Sequence, residues 1–130
     1  MIAYIKTTLM RIVLVFALFF APANSAWATD PPYQQQMQQL LSAIGSLYFL
    51  HPLCGDEQTN WRAQAAELIA LDNPDDHRRQ RLNGAFNQGY ISYARLHKNC
   101  SEAAHQATTQ LLVEADRLTR EIHSRYAEQN

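Results

Sequence analysis

The chain has little of what small enzymes usually carry. It holds two cysteines, four glycines and five prolines in 130 residues. Cys54 and Cys100 lie too far apart for a CxxC redox pair or a CxxCH haem attachment. A glycine-rich phosphate loop and an HExxH zinc pair are both missing. No nucleophile elbow presents a serine for a nucleophile–histidine–acid constellation. Strand-like alternation of useful length is absent, which argues against a sheet, and no internal repeat suggests a solenoid. Charge of neither sign dominates: 11 basic and 12 acidic residues give a net charge of −1, no broad footprint for nucleic acid or an anionic membrane.

What is present begins with an export signal. Lys6 and Arg11 form a basic head, Ile12 to Phe20 a short apolar run, and Ala26-Trp27-Ala28 a small-residue cleavage site. The rival reading is a membrane anchor, but a span needs roughly 20 uninterrupted apolar residues and this run is about half that. Residues 1–28 are expected to be a signal peptide and residues 29–130 a single helical domain. No cysteine follows the apolar run closely enough for lipid attachment. The mature chain, Thr29 to Asn130, keeps nine basic and twelve acidic residues and is long enough for one modest core.

Export sets the reading of the cysteines. Two cysteines in an oxidising compartment pair more often than they stay free. A Cys54–Cys100 bond closes a loop of roughly 47 residues, for which chain entropy gives about 4 kcal/mol.

Four amphipathic helices are expected. The first spans about Tyr33 to Leu50, with Met37, Leu40, Leu41, Ile44, Leu47, Tyr48 and His51 on one face and Pro52 ending it at His51. The second runs from Thr59 or Asn60 as cap to about Asp72, with Trp61, Ala65, Leu68 and Ile69 inward. The third runs from about Pro74, capped by Asn73, to Lys98, with Leu82, Phe86, Tyr90, Tyr93, Leu96 and His97 sharing a face. Gly89 in that stripe permits close helix contact, whereas Gly84 projects elsewhere. Arg78, Arg79 and Arg81 face local neutralisation by Asp72, Asp75 and Asp76. Ser101 caps the fourth helix, which reaches about Glu128 with Ala104, Ala107, Thr108, Leu111, Ala115, Leu118, Ile122 and Tyr126 along its inner line. Phe86, Tyr90, Leu111, Leu118 and Ile44 are the predicted core.

Four such helices on short turns predict an all-α antiparallel four-helix bundle. Up-down-up-down order puts the first and third turns, with Cys54 and Cys100, at one end. An irregular array with the short second helix lying across the others is the alternative.

Leu47-Tyr48-Phe49-Leu50, Leu53-Cys54-Gly55, Trp61-Arg62, Arg81-Leu82, Phe86-Asn87, Gly89-Tyr90, Cys100, Arg117-Leu118 and Arg125-Tyr126 together carry a resemblance. The chain resembles a family of small exported alphaproteobacterial proteins known as a domain of unknown function. His51-Pro52 departs from the basic residue expected before the Leu-Cys-Gly turn. The resemblance implies a periplasmic setting and implies no activity.

Chemical candidates are few, and no catalytic residue or cofactor is assigned. Glu102-Ala103-Ala104-His105 matches one Glu-x-x-His unit, but a di-iron bundle needs two of these and two further carboxylates. His51, Arg62, His97, Glu102 and His105 should gather at the disulfide end, with Asp56 and Glu57 near. Three imidazoles there could hold zinc or sense pH. The blander reading is that they pack against the core with wet polar edges, and no metal is assigned. Phe49, Leu50, Leu53, Ile91, Leu112 and Val113 fall outside the inner stripes and suggest an apolar patch for a partner. The expectation is therefore a periplasmic, non-enzymatic binding or accessory module that contacts another envelope protein. A small-ligand or metal-binding protein using the disulfide end is the alternative. The sequence leaves the oligomeric state open and predicts no membrane span after signal cleavage.

Overall fold

A computed structural model describes residues 29–55 and 58–128. The predicted signal peptide, Asp56 and Glu57 lie outside the described residues. The elements are α1 (Gln34–Leu53), α2 (Trp61–Asp72), α3 (Asp76–Leu96) and α4 (Glu102–Ala127). They run up, down, up, down, and a Cys54–Cys100 disulfide with Cα atoms 5.0 Å apart joins the α1–α2 turn to the α3–α4 turn. The fold is the expected antiparallel bundle, with α1 as its hub. α1 packs on α3 most extensively, then on α4 and α2, and α2 touches α3 slightly. Among the described residues no helix is long and apolar enough to cross a membrane.

The hub position explains the largest departure from single-face periodicity. Leu41, Leu47 and Leu50 are fully buried, and Ala43, Gly45 and Ser46 are buried with them. A helix covered from several sides buries residues that a one-sided stripe leaves out. Leu50 therefore belongs to the core rather than to an exposed patch. Leu82, Phe86, Leu118, Ala65 and Ile69 come in from the other three helices.

α1 and α3 approach backbone to backbone. A Cβ on Gly45 would lie 2.0 Å from the Phe86 carbonyl oxygen, and one on Gly89 would lie 1.9 Å from that of Ser42. Neither backbone can yield as a flexible side chain would. Gly89 thus takes the facing position, and Tyr90 beside it turns outward to 37% exposure instead of entering the core. Leu96 is likewise 74% exposed, at the frayed end of the same stripe, and Leu111 is only half-buried. Gly89→Ala should cost about 1–3 kcal/mol by overpacking. Gly84, with nothing within 4 Å of an added Cβ, should gain up to about 1 kcal/mol as alanine. Urea midpoints of the two variants check this, and equal shifts would contradict the close approach.

Caps and ends follow local chemistry with two corrections. Asn60 and Ser101 cap α2 and α4 through side-chain oxygens that accept from the Ala63 and Ala104 amides. Asp75, not Asn73, caps α3 by accepting from the Arg78 amide at 2.7 Å. Asn73 instead closes α2 in the left-handed conformation, φ 45°, a role asparagine shares with glycine. α1 does not stop at His51: Pro52 lies inside its last turn. A proline so near the end forfeits a single helical bond, and Cys54 N–H still donates to the Leu50 and His51 carbonyls. Gly55, at φ 85°, then turns the chain.

The end opposite the disulfide is tied by a buried polar network. Arg78 is paired with Asp72 at 2.5 Å, their side chains 8% and 4% exposed. Its Nε donates to Gln34 Oε1, and its guanidinium lies over the Tyr33 ring at 5.7 Å. Tyr33 donates to Asp72 at 2.9 Å. Three elements, α1, α2 and α3, are clamped by these groups. Arg81 reaches Asp30 rather than a neighbouring acid of α3.

Burial, and then the Asp72 carboxylate, push the Tyr33 hydroxyl above the ordinary value of 10.0. The raised folded value means its stabilising contribution is complete below the unfolded pKa and is lost as pH rises through the folded one. Tyr33→Phe should cost about 1–3 kcal/mol at neutral pH by leaving Asp72 short of a donor. It should also flatten the alkaline fall in stability, read from unfolding curves on both sides of that range. An unchanged alkaline slope would contradict the assignment.

Candidate functional site

α2 and α4 both rest on α1 but do not pack against each other. The gap is a groove of about 400 Å³. Its floor is Leu40 and Ile44 of α1. Trp61, Leu68 and Leu71 form one wall, and Leu112 and Ala115 the other. Gln64, Glu67, Asp116 and Thr119 complete the lining, which contains two acids and no cation. Leu71 is 77% exposed and Leu112 41% exposed, so both lips of the groove present large apolar side chains to solvent.

The groove arises from the lengths and patterns of the two helices. α2 has only 12 residues, and its buried line is Ala65 and Ile69. Leu68 and Leu71, three apart, fall beside that line rather than on it. α4 buries Ala104 and Leu118 against α1, while Leu112 and Ala115 stand on the flank that faces α2. Leu68 and Ala115 pack partly against the core, whereas Leu71 and Leu112 beside them remain as apolar surface.

At the disulfide end the predicted residues share a location but not a site. His51 is buried and accepts a hydrogen bond from Trp61 Nε1 at Nδ1, 2.9 Å, with the two rings edge to face. It fixes the start of α2 on the end of α1. His97 stacks on Tyr93, centroids 5.8 Å apart. Arg62 lies 5.8 Å above the Tyr48 ring. Glu102 accepts from Gln106 one turn along α4. His105 alone meets the cysteines, its Nε2 3.2 Å from Cys100 Sγ. Among the described residues, Cys54, Cys100 and His105 are the set whose donor atoms converge as metal ligands would, and His51 and His97 are not in it.

A family model for a protein of unknown function, DUF2385, matches residues 32–126. The chain belongs to that family. The match takes in all but the last residue of the four helices, hence the groove, the disulfide and the buried Arg78–Asp72 pair. No curated protein and no solved structure matches the chain.

Sequence reading placed Leu112 outside the inner stripe and Leu68 and Ala115 on it, but gave no role to Leu71 or Glu67. The usable signal was Leu71 and Leu112, each three residues from a member of its helix's apolar line, Leu68 and Ala115. Of the suggested patch, Ile91 and Val113 are exposed, at 41% and 66%, and Phe49 and Leu53 are half-buried.

Proposed function

We propose that this DUF2385 member is an exported, non-enzymatic binding module. In this reading its groove receives an amphipathic helix from a second envelope protein. The observation that carries the proposal is the apolar groove between α2 and α4, rimmed by Glu67 and by Asp116, which is paired with Arg120 one turn along α4. Helix-in-groove recognition uses an apolar stripe at i, i+3, i+4 and i+7 laid on such a surface. Glu67 on the rim, together with a mature chain of nine basic and twelve acidic residues, favours a partner helix flanked by lysine or arginine. The export signal read from residues 1–28 supports the periplasm as the place of contact.

Trp61 lines the groove and serves as the reporter. A synthetic helix with a leucine stripe and lysine flanks should shift its emission saturably. Leu112→Asp should weaken that binding about tenfold or more, equivalent to ~1.4 kcal/mol. The same peptide with glutamate flanks should bind more weakly than the lysine form. Equal binding of both peptides would contradict the charge argument. Undiminished binding by Leu112→Asp would contradict the groove itself. Saturation by an uncharged hydrocarbon alone, with no peptide binding, would assign the groove to a small apolar ligand instead.

A further inference from the structure

We propose that reduction of the disulfide converts the bundle end into a metal site, in which Cys54, Cys100 and His105 bind a thiophilic divalent cation of the zinc class. This is independent of the groove and uses other residues. The three prospective donor atoms already lie within 4.8 Å of one another. His105 Nε2 is 3.2 Å from Cys100 Sγ. Cys100 and His105 are exposed and Cys54 is half-buried, so both a reductant and an ion have access.

The adjustment required is small. Tetrahedral zinc with bonds of about 2.3 Å holds two sulfurs about 3.8 Å apart. Once the bond is cut, the two sulfurs have to part to that spacing. Rotation about the two Cα–Cβ bonds supplies this. Two of the three residues are held at helix ends. Cys54 N–H is bonded to the Leu50 and His51 carbonyls, and His105 N–H to the Ser101 carbonyl.

The donor set defines the ligand class. Two thiolates and one imidazole select zinc-like ions over magnesium or calcium, which take oxygen ligands. Three protein ligands leave the fourth position to solvent. The chemistry balances with a dithiol as reductant. The dithiol gives two electrons and two protons, its own sulfurs become a disulfide, and the Cys54–Cys100 bond becomes two thiols. Ion binding then releases both thiol protons to solvent, while neutral His105 offers the Nε2 lone pair and keeps its proton on Nδ1.

Cobalt(II), which stands in for zinc and is coloured, provides the test. The mature protein is reduced with a phosphine, freed of it without air, and titrated while circular dichroism follows the helices. One equivalent should produce a thiolate-to-cobalt charge-transfer band, and the oxidised protein should give none. Cys100→Ser should lose the band, and His105→Ala should bind at least about tenfold more weakly, ~1.4 kcal/mol. If the reduced chain loses helix, restoration by cobalt supports the site and failure to restore overturns it. Absence of the band in the folded reduced protein, or equal binding by His105→Ala, also overturns it.

Discussion

Arg78→Ala is expected to lower the free energy of unfolding by about 3–5 kcal/mol, the usual cost of removing one member of a buried ion pair. The loss is larger than the pair's own worth, because Asp72 stays behind at 4% exposure with its countercharge gone. Gln34 Oε1 also loses its donor and the Tyr33 ring its stacked cation. The double variant Arg78→Met with Asp72→Leu should therefore recover much of the loss, since no charge is then left buried. Denaturant unfolding of both proteins checks this. A double variant at least as unstable as Arg78→Ala would mean that packing by the arginine stem, not charge, dominates.

Leu118→Ala should cost roughly 2–5 kcal/mol. Leu118 is fully buried and is one of two residues that α4 buries. α4 packs on α1 and on no other helix among the described residues. Ala115 and Ile122 pack partly against the same core, and the disulfide before α4 and the Tyr126–Tyr33 ring contact near its end add to its hold. A cavity at Leu118 thus loosens the one face that docks α4. A cost below about 0.5 kcal/mol, a size typical of surface changes, would contradict that packing.

The bundle was legible because its evidence is local. Helical spacing and the Asn60 and Ser101 caps act within a few residues, and cysteines in the first and third turns fit up-down-up-down order. The hub role of α1 was not legible. It depends on which helices surround α1, and a single-face rule could not place Leu50 or Gly45 inside. Pro52 misled for a related reason: its cost is local, whereas burial of Leu50 and the Trp61–His51 hydrogen bond hold the turn from outside. For His51, His97 and His105, helix position alone does not fix side-chain partners. Trp61 takes His51, Tyr93 takes His97, and only His105 reaches the cysteines. The groove was half visible, since Leu112 showed as surplus on α4 while its counterpart across the gap, Leu71, did not.

The groove as a docking surface is tested most directly where the protein is expected to work. A photo-crosslinking residue is placed at Leu71, at Leu112, or at Gly84 on the open face of α3, and the exporting cell is irradiated. The groove positions should yield the same envelope protein, joined through a helical segment with an apolar stripe and basic flanks, and Gly84 should not. Adducts of equal strength at Gly84, or none at either groove position in a folded, exported protein, would contradict the account.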